Sequence, residues 1–235
     1  IKECETTYAY FLRDFGDDPL KEVWPGRKAR LLVLGNEAQW HAFVDRFVHN
    51  QKEFTRALSG TTNRQGLTGV TYNKDSIDLI VDSLVHRSAH FLVTHYLHLE
   101  QPWIQEGFAY YYTVKVLNST RTHCVAWDPY SNARNDQDWG DSQNWKDLLK
   151  EAVRNKDDFD LRMLMGLKIT GMKQPQAVKA WGVITWFFDH HREAFMKWLK
   201  DVAAGKSQDQ AFQDHFGQRP EDLDQQWRDY ILENW

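Results

Sequence analysis

Cysteine is scarce: the 235 residues hold only Cys4 and Cys124. Two thiols cannot build a disulfide framework, and they form either one bridge across a long loop or two free groups. An excess of basic charge is also missing. Lys and Arg number 29 against 33 Asp and Glu, a net charge of -4, which excludes the cationic footprint of a nucleic-acid binder. No apolar run approaches the roughly 18 residues of a membrane helix. The chain opens at Ile1 without an apolar leader, as expected of a mature form or an excised domain. What is abundant is apolar and aromatic. Hydrophobic residues make up 42%, with 11 Trp, 9 Tyr and 13 Phe, enough to bury a core without staples. Such a composition excludes collagen, low complexity and wholesale disorder. The tryptophans read as packing residues rather than as a sugar- or peptide-binding platform.

The first third mixes helix and strand patterns. Residues 6–15 have apolar positions at helical spacing, ended by Gly16-Asp17-Asp18-Pro19. Residues 29–34 are a short apolar run closed by Gly35, the pattern of a strand. Residues 37–48 predict a helix with Trp40, Phe43, Val44 and Phe47 on one face. After a turn-rich stretch over 61–69, two strand-like runs, 69–72 and 77–81, flank a hairpin-like Asn73-Lys74-Asp75. Asp82 and Ser83 then suit the cap of a helix to about Leu99. Pro102 suits the first turn of another, to about Leu117.

Residues 127–145 are polar and read as a surface loop. A calcium loop fails there: counted from Asp136, the sixth residue is Asp141, where glycine is needed. Asn118-Ser119-Thr120 is a glycosylation sequon by pattern only. From Trp145 onward everything is helical, with stripes through Val178, Trp181, Ile184, Thr185 and Phe188, and through Phe195, Trp198, Leu199 and Val202. Gly205 and Gly217 end helices, and Leu223, Trp227, Tyr230 and Ile231 line the last one. The prediction is one α+β domain over 1–235: a sheet-bearing part (1–81), two motif helices (82–118) and a helical part (119–235).

His86 and His90 sit one helical turn apart, so both imidazoles share a face and can hold two corners of a tetrahedral zinc. Glu106, near the start of the next helix, can supply a third ligand if that helix packs back on the first. His95 and His98 lie nearby, so a merely histidine-rich surface helix is the competing reading.

The segments His86-Arg87-Ser88-Ala89-His90 and Trp103-Ile104-Gln105-Glu106-Gly107-Phe108-Ala109 resemble the gluzincin zinc peptidases, most nearly the bacterial peptidase-MA-like domains. The family pattern is His-Glu-x-x-His followed by Trp-[Leu/Ile]-x-Glu-Gly-x-Ala. The resemblance implies a zincin-like fold, zinc as cofactor, and His86, His90 and Glu106 as its ligands. It also implies an exported or envelope-associated bacterial protein.

One position departs from it. Arg87 stands where the family has the glutamate that serves as general base. A guanidinium stays protonated above about pH 12 and has no lone pair to accept a proton. Its charge weakens a metal site by several kcal/mol, which need not abolish it. It can also swing out to solvent or pair with Glu106, filling the place of the metal with a salt bridge. The transition-state tyrosine of the family's tail helix also falls here near Ala177; Tyr110, Tyr111 and Tyr112 read mainly as packing.

Three readings follow: a pseudopeptidase whose cleft binds peptide or protein, an active hydrolase using another acid such as Glu100 or one from the Asp-rich loop, and a metal-free helical interaction domain.

Overall fold

The computed structural model describes residues 2–16, 30–49, 52, 55, 60–62, 67–71, 77–121 and 142–235. Helix α1 (Lys2–Phe15) is followed by β1 (Arg30–Leu34), α2 (Glu37–Phe47), β2 (Gly60–Thr62) and β3 (Leu67–Thr71). The strands form a mixed sheet in the order β1-β3-β2. β1 runs parallel to β3, Arg30 facing Leu67 and Leu34 facing Thr71, while β2 pairs antiparallel with Gly60 facing Val70. A parallel pair needs a crossover, and α2 lies between its two strands in the chain. The Asn36 side chain caps α2 by accepting from the Gln39 amide. Its Trp40, Phe43 and Val44 make a small core of their own, with Leu34, Phe47 and Val48 against it.

The rest of the described chain is helical. α3 (Ile77–Leu92) runs into a π-helical turn, Val93–Leu97, and is followed by α4 (Pro102–Leu117). Then come α5 (Trp145–Asn155), α6 (Leu161–Gly166), α7 (Gln174–His190), α8 (Arg192–Ala203), α9 (Gln208–Phe216) and α10 (Pro220–Asn234). α4 and α7 are apolar nearly all round and form the centre of the main core, as helices without a polar face must. Trp103, Trp145, Trp198 and Trp227 are fully buried there, as the packing reading requires. No described helix is long and apolar enough to cross a membrane.

Three expectations need correction. The run 77–81 is not a strand but the first turn and a half of α3. The strand that pairs antiparallel with β3 is β2, whose Gly-Thr-Thr sequence carries no apolar pattern. Asp82 and Ser83 therefore sit inside α3, buried, and do not cap it. Asp82 instead accepts from Thr120 Oγ1 at 2.9 Å and from the Arg121 amide at 2.6 Å. It ties the chain leaving α4 back to the middle of α3. The helix also ends earlier than expected: α geometry stops at Leu92, and His98 takes a left-handed φ of 52° after the π turn.

α4 starts and stops as predicted, with Pro102 in its first turn and Asn118 left-handed at its end. Gly205 and Gly217, at φ of 93° and 64°, follow α8 and α9 as expected. Cys4 is a free, half-buried thiol whose pKa burial pushes up. Cys124, the Asn73-Lys74-Asp75 turn and most of the Asp-rich stretch lie outside the described residues.

Candidate metal centre

α3 presents His86 and His90 on one face, and α4 packs its first turn against them. Glu106 is thereby brought between the two imidazoles. Its Oε2 lies 3.6 Å from His86 Nε2 and its Oε1 lies 3.3 Å from His90 Nε2. One ligand atom from each of the three residues falls within 4.8 Å of the others. In a tetrahedral site with metal–ligand bonds of about 2.0–2.1 Å, neighbouring ligand atoms stand roughly 3.3–3.4 Å apart. The two His–Glu distances lie near that spacing, each to a different oxygen of Glu106. His86 Nε2 and Glu106 Oε2 are buried and have no hydrogen-bond partner. Buried polar atoms are nearly always paired, so two orphans facing each other at this distance suit a shared cation. The residues present therefore fit a metal ion.

Electrostatics favours a neutral His86 and an ionised Glu106. Burial holds His86 neutral, its pKa lowered to about 3. Burial alone would raise the Glu106 pKa, but the adjacent imidazoles outweigh it and hold the carboxyl below the usual carboxylate range. A neutral imidazole and an ionised carboxylate are the states that bind metal.

Gln105 completes the arrangement, and the sequence motif gives it no role. Its Nε2 donates to Thr94 Oγ1 at 3.0 Å and to the Leu99 carbonyl. That orientation turns Oε1 toward His90 Nδ1, 3.0 Å away. Oε1 can only accept, so this contact suits a proton on Nδ1 and fixes the ring with Nε2 facing Glu106. The π turn and Leu99 thus position Gln105, and Gln105 positions His90. The only trace of this in the sequence is its place beside Glu106 in the first turn of α4.

Arg87 is buried, only 5% exposed, and has not swung out to solvent. Nor does it pair with Glu106, which is engaged by the imidazoles. Its Nε and Nη2 have no hydrogen-bond partner. Ala177 is fully buried on α7 and offers no hydroxyl. Tyr110 packs its ring on His86, centroids 4.8 Å apart, and on Trp145. The Tyr112 hydroxyl donates to Asp14, and that of Tyr111 accepts from Lys115, so both are committed away from the triad. Glu100 is exposed beside Thr94, His95 and His98 and does not join the cluster. His95 packs on Phe91, 4.7 Å between ring centroids. His86 is wholly buried, which removes the surface-helix reading for the pair.

No protein-family model matches the chain, and no curated protein matches it.

Proposed function

We propose that this chain is a zincin-like domain of the gluzincin type, related to peptidase-MA-like domains, that holds zinc on His86, His90 and Glu106 and does not hydrolyse peptides. Its site serves recognition of a peptide or protein. The observation that carries this reading is a buried three-residue cluster whose ligand atoms lie within 4.8 Å of one another, with a buried arginine next to His86 in the chain. Bound there, zinc supplies a Lewis acid. Hydrolysis needs in addition a group that takes a proton from water and returns it to the leaving amine. Arg87 cannot accept a proton, and among the described residues no carboxylate other than Glu106 joins the two histidines in the cluster.

Elemental analysis of untagged protein, after zinc loading and removal of excess, tests the site. About one zinc per chain is expected, falling to background in His86→Ala. The loaded protein should not cleave a peptide library. Cleavage by the wild type that a chelator abolishes would refute the loss of hydrolysis, and absence of retained zinc would refute the metal site. Gln105→Leu should leave the fold intact and weaken zinc binding by roughly 10- to 100-fold, the usual cost of losing a partner behind a ligating histidine. A competition titration with a chromophoric chelator reads this directly. Unchanged affinity would show that Gln105 does not orient His90.

A further inference from the structure

The face of α3 that carries the two histidines carries more. Ser83, His86, Arg87 and His90 follow one another at spacings of three and four residues, so they line one side of the helix. Orphaned buried atoms are concentrated here: Ser83 Oγ, Arg87 Nε and Nη2, His86 Nδ1 and Nε2 and, from α4, Glu106 Oε2. The triad accounts for His86 Nε2 and Glu106 Oε2, though not for His86 Nδ1. It does not account for Ser83 or Arg87, which are donors, and one of them bears a full charge. A guanidinium left buried without an acceptor costs stability.

Charge points the same way. Arg87 and ionised Glu106 cancel. A divalent ion on the triad, which rests on the reading above, adds two positive charges among buried side chains. Among the described residues no second carboxylate joins the cluster to offset them. The nearest acid along the helix, Asp82, is committed to Thr120 and Arg121.

We propose that this site binds a carboxylate, gripped by Arg87 and Ser83 beside the metal. A planar guanidinium fork matches the two oxygens of a carboxylate, the Ser83 hydroxyl supplies a further donor, and the anion offsets the excess positive charge. The ligand class is a free carboxylate: a peptide C-terminus, an acidic side chain or a small carboxylic acid. The substitution that removes the base thereby creates an anion receptor.

The test uses cobalt(II)-loaded protein titrated with acetate, read by the visible ligand-field spectrum, with chloride at equal ionic strength as control. A saturable change is expected, with affinity weakened on the order of tenfold or more in Arg87→Gln and less in Ser83→Ala, at unchanged cobalt content. Equal acetate affinity in wild type and Arg87→Gln overturns the proposal, as does the lack of saturation. Inorganic phosphate binding more tightly than acetate overturns the carboxylate assignment. If no cobalt is retained, the metal reading fails separately. Acetate-dependent thermal stabilisation of the metal-free protein, lost in Arg87→Gln, then still supports the anion site, and its absence overturns it. Arg87→Gln should itself fold at least as well as wild type, since it removes an unpaired buried charge. A peptide and its C-terminally amidated form, compared in the same titration, separate a chain terminus from a side-chain acid.

Discussion

Replacing Lys179 with alanine should destabilise the protein by about 3–5 kcal/mol, the cost of stripping one partner from a buried charge cluster. Lys179 lies on α7 and is only 1% exposed. Its Nζ stands 2.8 Å from Asp158 Oδ2 and 2.7 Å from Asp224 Oδ1, and 3.9 Å from the centre of the Trp227 ring. Both carboxylates are almost wholly buried as well, at 5% and 1% of side-chain exposure. Arg228 reaches each of them from α10, but it is a quarter exposed and cannot replace a cation held between the two. Without Lys179, two acids remain in the core with one peripheral partner. The network joins the segment after α5 to α7 and α10, so the loss falls on the packing of the C-terminal helices. Chemical denaturation should show an earlier midpoint with little change in slope. A triple variant, Lys179→Met with Asp158→Asn and Asp224→Asn, should recover much of the loss, because it removes the charges together. If Lys179→Ala alone cost less than about 1 kcal/mol, the cluster would be a bystander rather than a tie.

That cluster also shows where a single sequence stops being informative. The stripe Val178, Trp181, Ile184, Thr185 and Phe188 predicts the α7 helix, and all of those positions but the half-buried Thr185 are buried. The same periodicity gives no reason to place a lysine among them. Only the acids brought by Asp158 and α10 make its burial tolerable, and those partners are distant in the chain. Local chemistry that acts within one element is legible: Pro102 opening α4, Asn118 closing it, the glycines after α8 and α9. The run Ile77-Asp78-Leu79-Ile80-Val81 misleads because five residues rich in branched apolar side chains fit either period. Burial decides for helix: Ile77 is 74% exposed, and the buried positions continue through α3. Gly60–Thr62 gives no strand signal because its strand character comes from pairing with β3, not from its own residues. At the proposed site, His86, His90 and Glu106 are legible from spacing because few residue types can hold a metal. Gln105 is not, since an amide standing behind a ligand has no such restriction. The burial of Arg87 is not legible either, because a sequence cannot show whether a long cationic side chain folds inward.

Gly107→Ala should damage stability and metal binding together. Within an exposed helix this change would stabilise by about 1 kcal/mol. Here an added Cβ would lie 2.6 Å from Ile184 Cγ1 and 2.9 Å from the Ala180 carbonyl oxygen. The side chain can turn aside, but the carbonyl belongs to the backbone of α7 and cannot. α4 must therefore move off α7, which in a close-packed core costs about 1–3 kcal/mol or more. Glu106 is the adjacent residue, so the displacement carries its carboxylate away from imidazoles that it meets at 3.3 and 3.6 Å. Zinc affinity should fall at least tenfold, since ligand geometry tolerates only a few tenths of an ångström. Adding Ile184→Val relieves the side-chain contact alone and should rescue little. Gly182→Ala is the control. Its Cβ would meet Leu149 Cδ1 at 3.0 Å and the Trp227 ring at 3.2 Å, both side-chain atoms and neither part of the triad. It should cost some stability and leave zinc affinity unchanged. Equal zinc affinity in Gly107→Ala and wild type would break the link between the α4–α7 crossing and the site. Loss in Gly107→Ala but not in Gly182→Ala would establish that the glycine after Glu106 is there to set how closely α4 approaches α7, and so where the third ligand stands.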